Sequence, residues 1–314
     1  MASWSMVFPG QGSQSVGMLA DLAAAYPGVR ETFDEASEVL GLDLWRLVRE
    51  GPKEDLDRTW NTQPAMLAAG VAVWRLWQAQ GGPTPKVMAG HSLGEYSALV
   101  AAGALAFSDA LSLVAARGRF MQEAVPEGQG AMAAVLGLED ARVEALCAEA
   151  AGDEVLAAAN YNAPGQVVVA GARTAVERLL PRARAAGARR VLPLAVSVPS
   201  HCALMRPAAE RLRGRLGEVA IHSPRVPVLH NASVDTADGP EAVRELLVRQ
   251  LYRPVRWVET IRRMADEGVA SVVEAGPGKV LAGLNKRIDK GMQALPLFDP
   301  ATLERAMEAI HESE

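Results

Sequence analysis

A five-residue turn, Gly90-His91-Ser92-Leu93-Gly94, limits what this chain can fold into more than any other stretch. It follows Lys86-Val87-Met88-Ala89, a short apolar segment that reads as a buried strand. It precedes Leu93 to Leu105, an Ala- and Leu-rich run that reads as a helix. Strand, G-x-S-x-G and helix in that order make a nucleophile elbow. Gly90 and Gly94 have a steric task, because strand and helix approach closely at the bend and leave little room for a Cβ. The bend lifts the Ser92 hydroxyl out of the chain at the positive end of the following helix. A plain turn with a capping serine is the alternative; the strand-to-helix context argues against it.

A chain of 314 residues can bury a large core around such an elbow and suits two domains, or one domain with an insertion. Hydrophobic residues make up 49% and charged residues 22%, as in an ordinary globular protein. The formal net charge of −5, with no basic run, argues against bulk nucleic-acid binding. The first residues have neither a charged region nor a long apolar stretch, so no secretion signal is expected. No apolar segment reaches membrane-spanning length. Cys147 and Cys202 show no metal-ligand spacing. A reducing compartment, and hence a cytoplasmic location, is the expectation.

Upstream of the elbow, Trp4 to Phe8 reads as a first strand ending in the loop Pro9-Gly10-Gln11-Gly12-Ser13-Gln14. A dinucleotide fingerprint fails there, because Ser15 stands where a third Gly or Ala is needed. The better reading is a loop whose backbone N–H groups face an oxyanion. Residues 18–50 read as helices. Thr62-Gln63-Pro64 opens a helix from Ala65 to Gln80, and Ser108 is expected to cap another from Asp109 to Ala124. On that second helix Ala110, Val114 and Met121 share an apolar face with Arg117, whereas Arg119 points away. An arginine on a core face needs a partner. The partner is either an internal carboxylate or a carboxylate on the substrate, gripped by the guanidinium fork.

After the linker-like Pro126 to Gly130 the pattern changes. Strand 131–137, helix 139–151, strand 155–160, strand 166–171, helix 174–186 and strand 190–196 follow in turn. This β-α-β-β-α-β order is that of a ferredoxin-like domain. Residues 127–198 are therefore expected to be an inserted small domain, with 1–126 and 199–314 forming the large one. The large domain is expected to be α/β-hydrolase-like around a short parallel sheet. Its second part reads as helix 202–216, strand 226–231, helices 241–252 and 257–267, strand 271–274, a helix opened by Gly276-Pro277-Gly278-Lys279, and strand 294–298. His311 is placed in a polar C-terminal tail.

A serine hydroxyl is a poor nucleophile until a base takes its proton. Of five histidines, His201 lies at the domain seam just before a helix and is the strongest candidate. No strand-end acid between Ser92 and His201 offers itself to orient that base. A backbone or side-chain carbonyl can accept the Nδ1–H bond instead. Cys202 reads as a small buried residue, not a rival nucleophile.

Gly10-Gln11-Gly12-Ser13-Gln14, Gly90 to Glu95, Arg117, Pro199-Ser200-His201, Val248 to Tyr252 and Gly276-Pro277-Gly278 occur together at these spacings. The set resembles the malonyl-CoA:acyl-carrier-protein transacylases of bacterial fatty-acid synthesis, over essentially the whole chain. The resemblance implies Ser92 as the acylated nucleophile and His201 as base and acid, held by a carbonyl of Gln250. It implies an oxyanion hole from the N–H groups of Gln11 and Leu93, and Arg117 as the binder of the malonyl carboxylate. Gln63, Met121, Asn160, Asn162 and Gln166 match positions near the acyl or pantetheine path. Malonyl-CoA is implied as substrate and an acyl carrier protein as partner, with no cofactor or metal and a monomeric protein. The tetrad Val198-Pro199-Ser200-His201 matches neither His-Ala-Phe-His nor Tyr-Ala-Ser-His of the related polyketide acyltransferases, so that code does not exclude a methyl-branched acyl group. Two rival functions share these features. One is a serine thioesterase or esterase; the other is a non-catalytic carrier-binding module using Lys286, Arg287 and Lys290.

Overall fold

A computed structural model describes residues 3–196 and 198–312 of the chain. Among these residues nine strands form two sheets. In chain order they are β1 (Ser3–Phe8), β2 (Val87–Gly90), β3 (Gly130–Leu136), β4 (Leu156–Ala163), β5 (Gln166–Ala172), β6 (Arg190–Pro193), β7 (Val228–Leu229), β8 (Val269–Ala275) and β9 (Gln293–Leu297).

The first sheet has the order β7-β2-β1-β8-β9, and every neighbouring pair is parallel. Parallel strands are covered on both faces, so they read as unbroken apolar runs. Met6-Val7-Phe8 and Val87-Met88-Ala89 are such runs, and all six residues are buried. The chain leaves β1 toward β2 and β7 on one side and returns to β8 and β9 on the other. The loops that follow β1 and β2 thus lie side by side at the carboxyl edge of the sheet, where open α/β sheets place their ligands. Helix Thr59–Ala79 is apolar nearly all round and is buried along most of its length.

The second sheet is antiparallel in the order β4-β5-β3-β6. Alternation along its strands gives the two faces different tasks. Ala133, Val135, Val167 and Val169 pack on helices Asp140–Ala151 and Arg173–Ala185 through Val143, Leu146, Val176 and Leu179. Met132, Ala134, Val168 and Ala170 point the other way and pack with Cys202.

Several boundaries differ from the sequence expectation. Helix 59–79 starts before Pro64, because Thr62 N–H already donates to Arg58 O at 2.8 Å. Helix Phe107–Ala124 takes Ala106 as its N-cap and has no side-chain cap, so Ser108 does not have that role. β6 ends at Pro193, short of Val196. Residues 203–205 form a 3-10 turn before helix Arg206–Gly217. The expected polar tail is helix Pro300–His311, started by Asp299, whose side chain accepts from Thr302 N–H. Among the described residues no helix is long and apolar enough to cross a membrane.

Candidate active site

The elbow is built as the glycines require. Ser92 has φ +52°, a left-handed conformation that costs a non-glycine residue energy. A Cβ on Gly90 would overlap the backbone of Gly94, and one on Gly94 would overlap Phe8 O. A Cβ on Gly10 would meet His91 O, so the loop after β1 lies directly against the elbow. The N–H groups of Gln11 and Leu93 stand on this seam, and both residues line the same cavity as Ser92. Gln11 Oε1 accepts from Thr59 Oγ1 at 3.1 Å.

His201 Nε2 lies 2.7 Å from Ser92 Oγ, and His201 Nδ1 lies 2.8 Å from Gln250 O. That carbonyl ends helix Pro240–Gln250, where the last C=O groups have no partner within the helix and carry its negative end. It stands at the ring nitrogen where a triad has its Asp. His201 itself has φ +61°, and its N–H donates to Leu251 O at 3.0 Å, so the same helix end fixes both ring and backbone. Burial, with the Arg117 guanidinium nearby, pulls the imidazole down to about 3 from its usual 6.5. The ring is therefore neutral at pH 7 and can take a proton.

Arg117 is 2% exposed. Gly118 allows this, because Trp60 lies where its Cβ would stand and the two helices can close together. Arg117 Nη1 donates to Gln63 Oε1 at 2.7 Å and Nη2 to Gln250 Oε1 at 3.1 Å. Nη2 also stands 3.4 Å from Ser92 Oγ, and Nε has no partner among the described residues. Among the described residues no carboxylate is in contact with it; its hydrogen bonds go to amide oxygens and a hydroxyl. Burial lowers its pKa.

A cavity of about 180 Å³ opens over these groups. Gln11, Gln63, Leu93, Met121, Asn160 and Asn162 line it with Ser92, Arg117 and His201, and Met132 and Val168 of the second sheet form part of its wall. Gln63 Nε2 donates to Thr59 Oγ1 at 3.0 Å and lies 3.6 Å from Met121 Sδ. His91 turns away from Ser92, and its Nε2 meets Asn162 Oδ1 at 2.8 Å. Gln166 is the exception among the expected residues. It opens β5 at a hairpin, outside the cavity, and its Oε1 accepts from Arg287. Lys286 and Lys290 line a separate cleft beside β9.

Two further residues at the site, Asn231 and Glu95, have no role assigned from the sequence. Asn231 Oδ1 accepts from Ser92 N–H at 2.7 Å, and its Nδ2 donates to Gly90 O at 2.6 Å. Glu95 is fully buried and bonds His230, Asn231 and Gln250. Asn231 follows the edge strand β7 at the sheet's carboxyl edge; only the strand order, with β7 beside β2, brings it under the elbow.

The model of the acyl transferase domain matches residues 5–296. The chain belongs to the acyl transferase family. It is 56% identical to the malonyl CoA-acyl carrier protein transacylase of Escherichia coli K12 over 308 residues, covering 98% of this chain and 100% of that one. It is 44% identical to the protein of the same name in Bacillus subtilis over 313 residues, covering 99% and 98%. Among solved members of the family is a malonyl-transacylase in complex with its type II PKS acyl-carrier protein, at 54% identity and TM-score 0.97, covering 98% of this chain and 100% of that one. An acyl carrier protein S-malonyltransferase from Vibrio cholerae aligns at TM-score 0.94 and 54% identity, covering 97% and 100%. The α/β fold, with one parallel and one antiparallel sheet, is common to them and to this chain.

Proposed function

We propose that this chain moves a malonyl group from coenzyme A to the phosphopantetheine thiol of an acyl carrier protein, through a malonyl-serine intermediate. The observation that carries this reading is Arg117: a buried guanidinium, bonded to no carboxylate among the described residues, 3.4 Å from the Ser92 hydroxyl. A cation there suits an acyl group that ends in a free acid. The identity to malonyl transacylases over nearly the whole chain, and the neighbour solved with its acyl-carrier protein, support both donor and acceptor.

In the first half-reaction Ser92 Oγ attacks the thioester carbonyl while its proton passes to His201 Nε2. The N–H groups of Gln11 and Leu93 receive the oxyanion, each worth roughly 3 kcal/mol of transition-state stabilisation. Collapse breaks the C–S bond, and His201 returns the proton to the departing sulfur. In the second half-reaction the carrier thiol gives its proton to His201 and attacks the malonyl-serine; collapse releases Ser92, which regains a proton from His201. Gln250 O stabilises the imidazolium at each stage. Gln63 and Met121 border the acyl group beside Arg117, and Asn160 and Asn162 border the pantetheine path from the second sheet. Gln166 stands outside the cavity lining, beside Arg287. The large unit, 1–126 with 199–314, reads as α/β-hydrolase-like. The inserted 127–198 reads as ferredoxin-like, since order β4-β5-β3-β6 with two helices on one face fits that pattern.

Intact-mass spectrometry after mixing with malonyl-CoA, and separately with acetyl-CoA, tests this reading. One stable malonyl adduct per chain, with much slower acetylation, is the expected result. Rapid turnover to free malonate without an adduct would instead make the protein a thioesterase.

A further inference from the structure

Glu95 lies one turn past Ser92 on helix Gly94–Ala101, wholly buried. A buried carboxylate is costly unless donors fill its oxygens. Here Oε1 meets His230 Nδ1 at 2.7 Å, and Oε2 accepts from Asn231 N–H and Gln250 Nε2, each at 2.9 Å. A carboxylate only accepts, so the His230 proton facing it stands on Nδ1.

Two of these partners lead to reacting groups. Asn231 clamps Ser92 N–H and Gly90 O with its side chain. Gln250 presents its backbone carbonyl to His201, while its amide lies between two buried charges. Its Oε1 accepts from Arg117, and its Nε2 donates to Glu95 and to Ser92 O. A direct Glu–Arg pair would occupy the guanidinium that a substrate acid needs. An amide between them lets the anion offset the cation and leaves that face open. The negative charge of Glu95 also favours the protonated guanidinium against burial.

We propose that Glu95 is a positioning residue that holds two parts of the site in one geometry: Arg117 through the Gln250 amide, and the elbow through Asn231. This deepens the transacylase reading and rests on it. Glu95 touches no reacting atom; its effect passes through these two residues.

Single-turnover acylation by malonyl-CoA and by acetyl-CoA, quenched and read by intact mass, tests it on wild-type protein, Glu95→Gln and Glu95→Asp. Expected for Glu95→Gln is an acyl-serine amplitude near that of wild type, with a malonylation rate constant ~10–100-fold lower. The malonyl-to-acetyl rate ratio is expected to fall at least ~3-fold, since the Gln250 amide that anchors Arg117 loses the charged acceptor that fixes it. Glu95→Asp, which keeps the charge, should recover part of both. An unchanged rate and ratio would overturn the proposal. So would a reduced amplitude at an unchanged rate constant, which marks a loss of folded protein only. If Glu95→Gln does not fold, Gln250→Met carries the test, since it keeps the backbone carbonyl and removes the amide. The ratio should again fall at least ~3-fold, and an unchanged ratio would overturn the proposal. Wild-type protein that forms no malonyl adduct would overturn the transacylase reading itself.

Discussion

The two halves of the site solve different physical problems. Ser92, His201 and the Gln250 carbonyl are neutral at rest, and their arrangement is held by strained backbone: both Ser92 and His201 have positive φ. Arg117, Gln63, the Gln250 amide and Glu95 hold two buried charges at a distance from each other by filling the space between them with an amide. The first half costs conformational strain, which glycines at its ends and Asn231 beneath it make tolerable. The second costs desolvation, which hydrogen bonds offset only in part, since Arg117 Nε has no partner among the described residues. On the proposed function the strained half carries the chemistry, and the buried charge selects the acid.

The largest effect that would break this division is Ser92→Ala. It should lower malonyl transfer at least ~10⁴-fold and abolish the adduct seen by intact mass, whichever acyl-CoA is offered. Arg117→Ala should act on one substrate more than the other. Malonyl transfer is expected to fall ~10²–10³-fold and acetyl transfer less than ~10-fold, as removal of a charge-assisted pair in a desolvated site predicts. Equal losses in steady-state assays with both donors would sink the selector role.

A second buried carboxylate sharpens the contrast. Glu274 on β8 accepts from Leu281 N–H at 3.0 Å and Ala282 N–H at 2.7 Å at the start of helix Val280–Ile288. Burial outweighs these donors and pushes it up to about 7 from 4.5. The folded protein then keeps a proton that the unfolded chain releases. The stability this gives is full below pH 4.5 and is lost as pH rises through about 7. Glu274→Gln should flatten the pH dependence of urea unfolding over that interval by up to roughly 3 kcal/mol. Parallel pH profiles for the two proteins would remove Glu274 as the cause.

The smallest expected effect is an absence of change. With His201 depressed to about 3, the single-turnover malonylation rate of wild-type protein should vary less than ~3-fold between pH 7 and pH 5. An ordinary imidazole would be mostly protonated at pH 5 and would lose most of its rate there. A rate that fell with a midpoint near 6.5 would show that the ring is not desolvated.

Local patterns made much of this legible. The elbow, the inward face of Arg117 and the six-element order of the second sheet's segment all follow from short spacings. His201 and the missing acid were also readable, the latter only as an open choice between carbonyls. The choice fell to Gln250 because a helix happens to end there. That Gln166 would bond Arg287 outside the cavity was not legible, because a polar residue at a hairpin looks alike whether it faces a cavity or Arg287. The last helix was missed because its apolar residues, Leu303, Ala306 and Ile310, are sparse among charges.

What the chain determined by itself were the groups that one turn or one helix face can aim: the Ser92 hydroxyl, the glycines that permit its bend, and an arginine turned inward. These depend on dihedral angles and on a period of 3.6, which neighbours in sequence set. Only the tertiary structure decided what each group meets. The order β7-β2-β1-β8-β9 laid the Gln11 loop against the elbow and brought Asn231 beneath it. Packing of helix 107–124 on helix 59–79 and the end of helix 240–250 gave Arg117 its amides. Such contacts join residues up to 158 positions apart, as Gln250 and Ser92 are, and no local spacing encodes them.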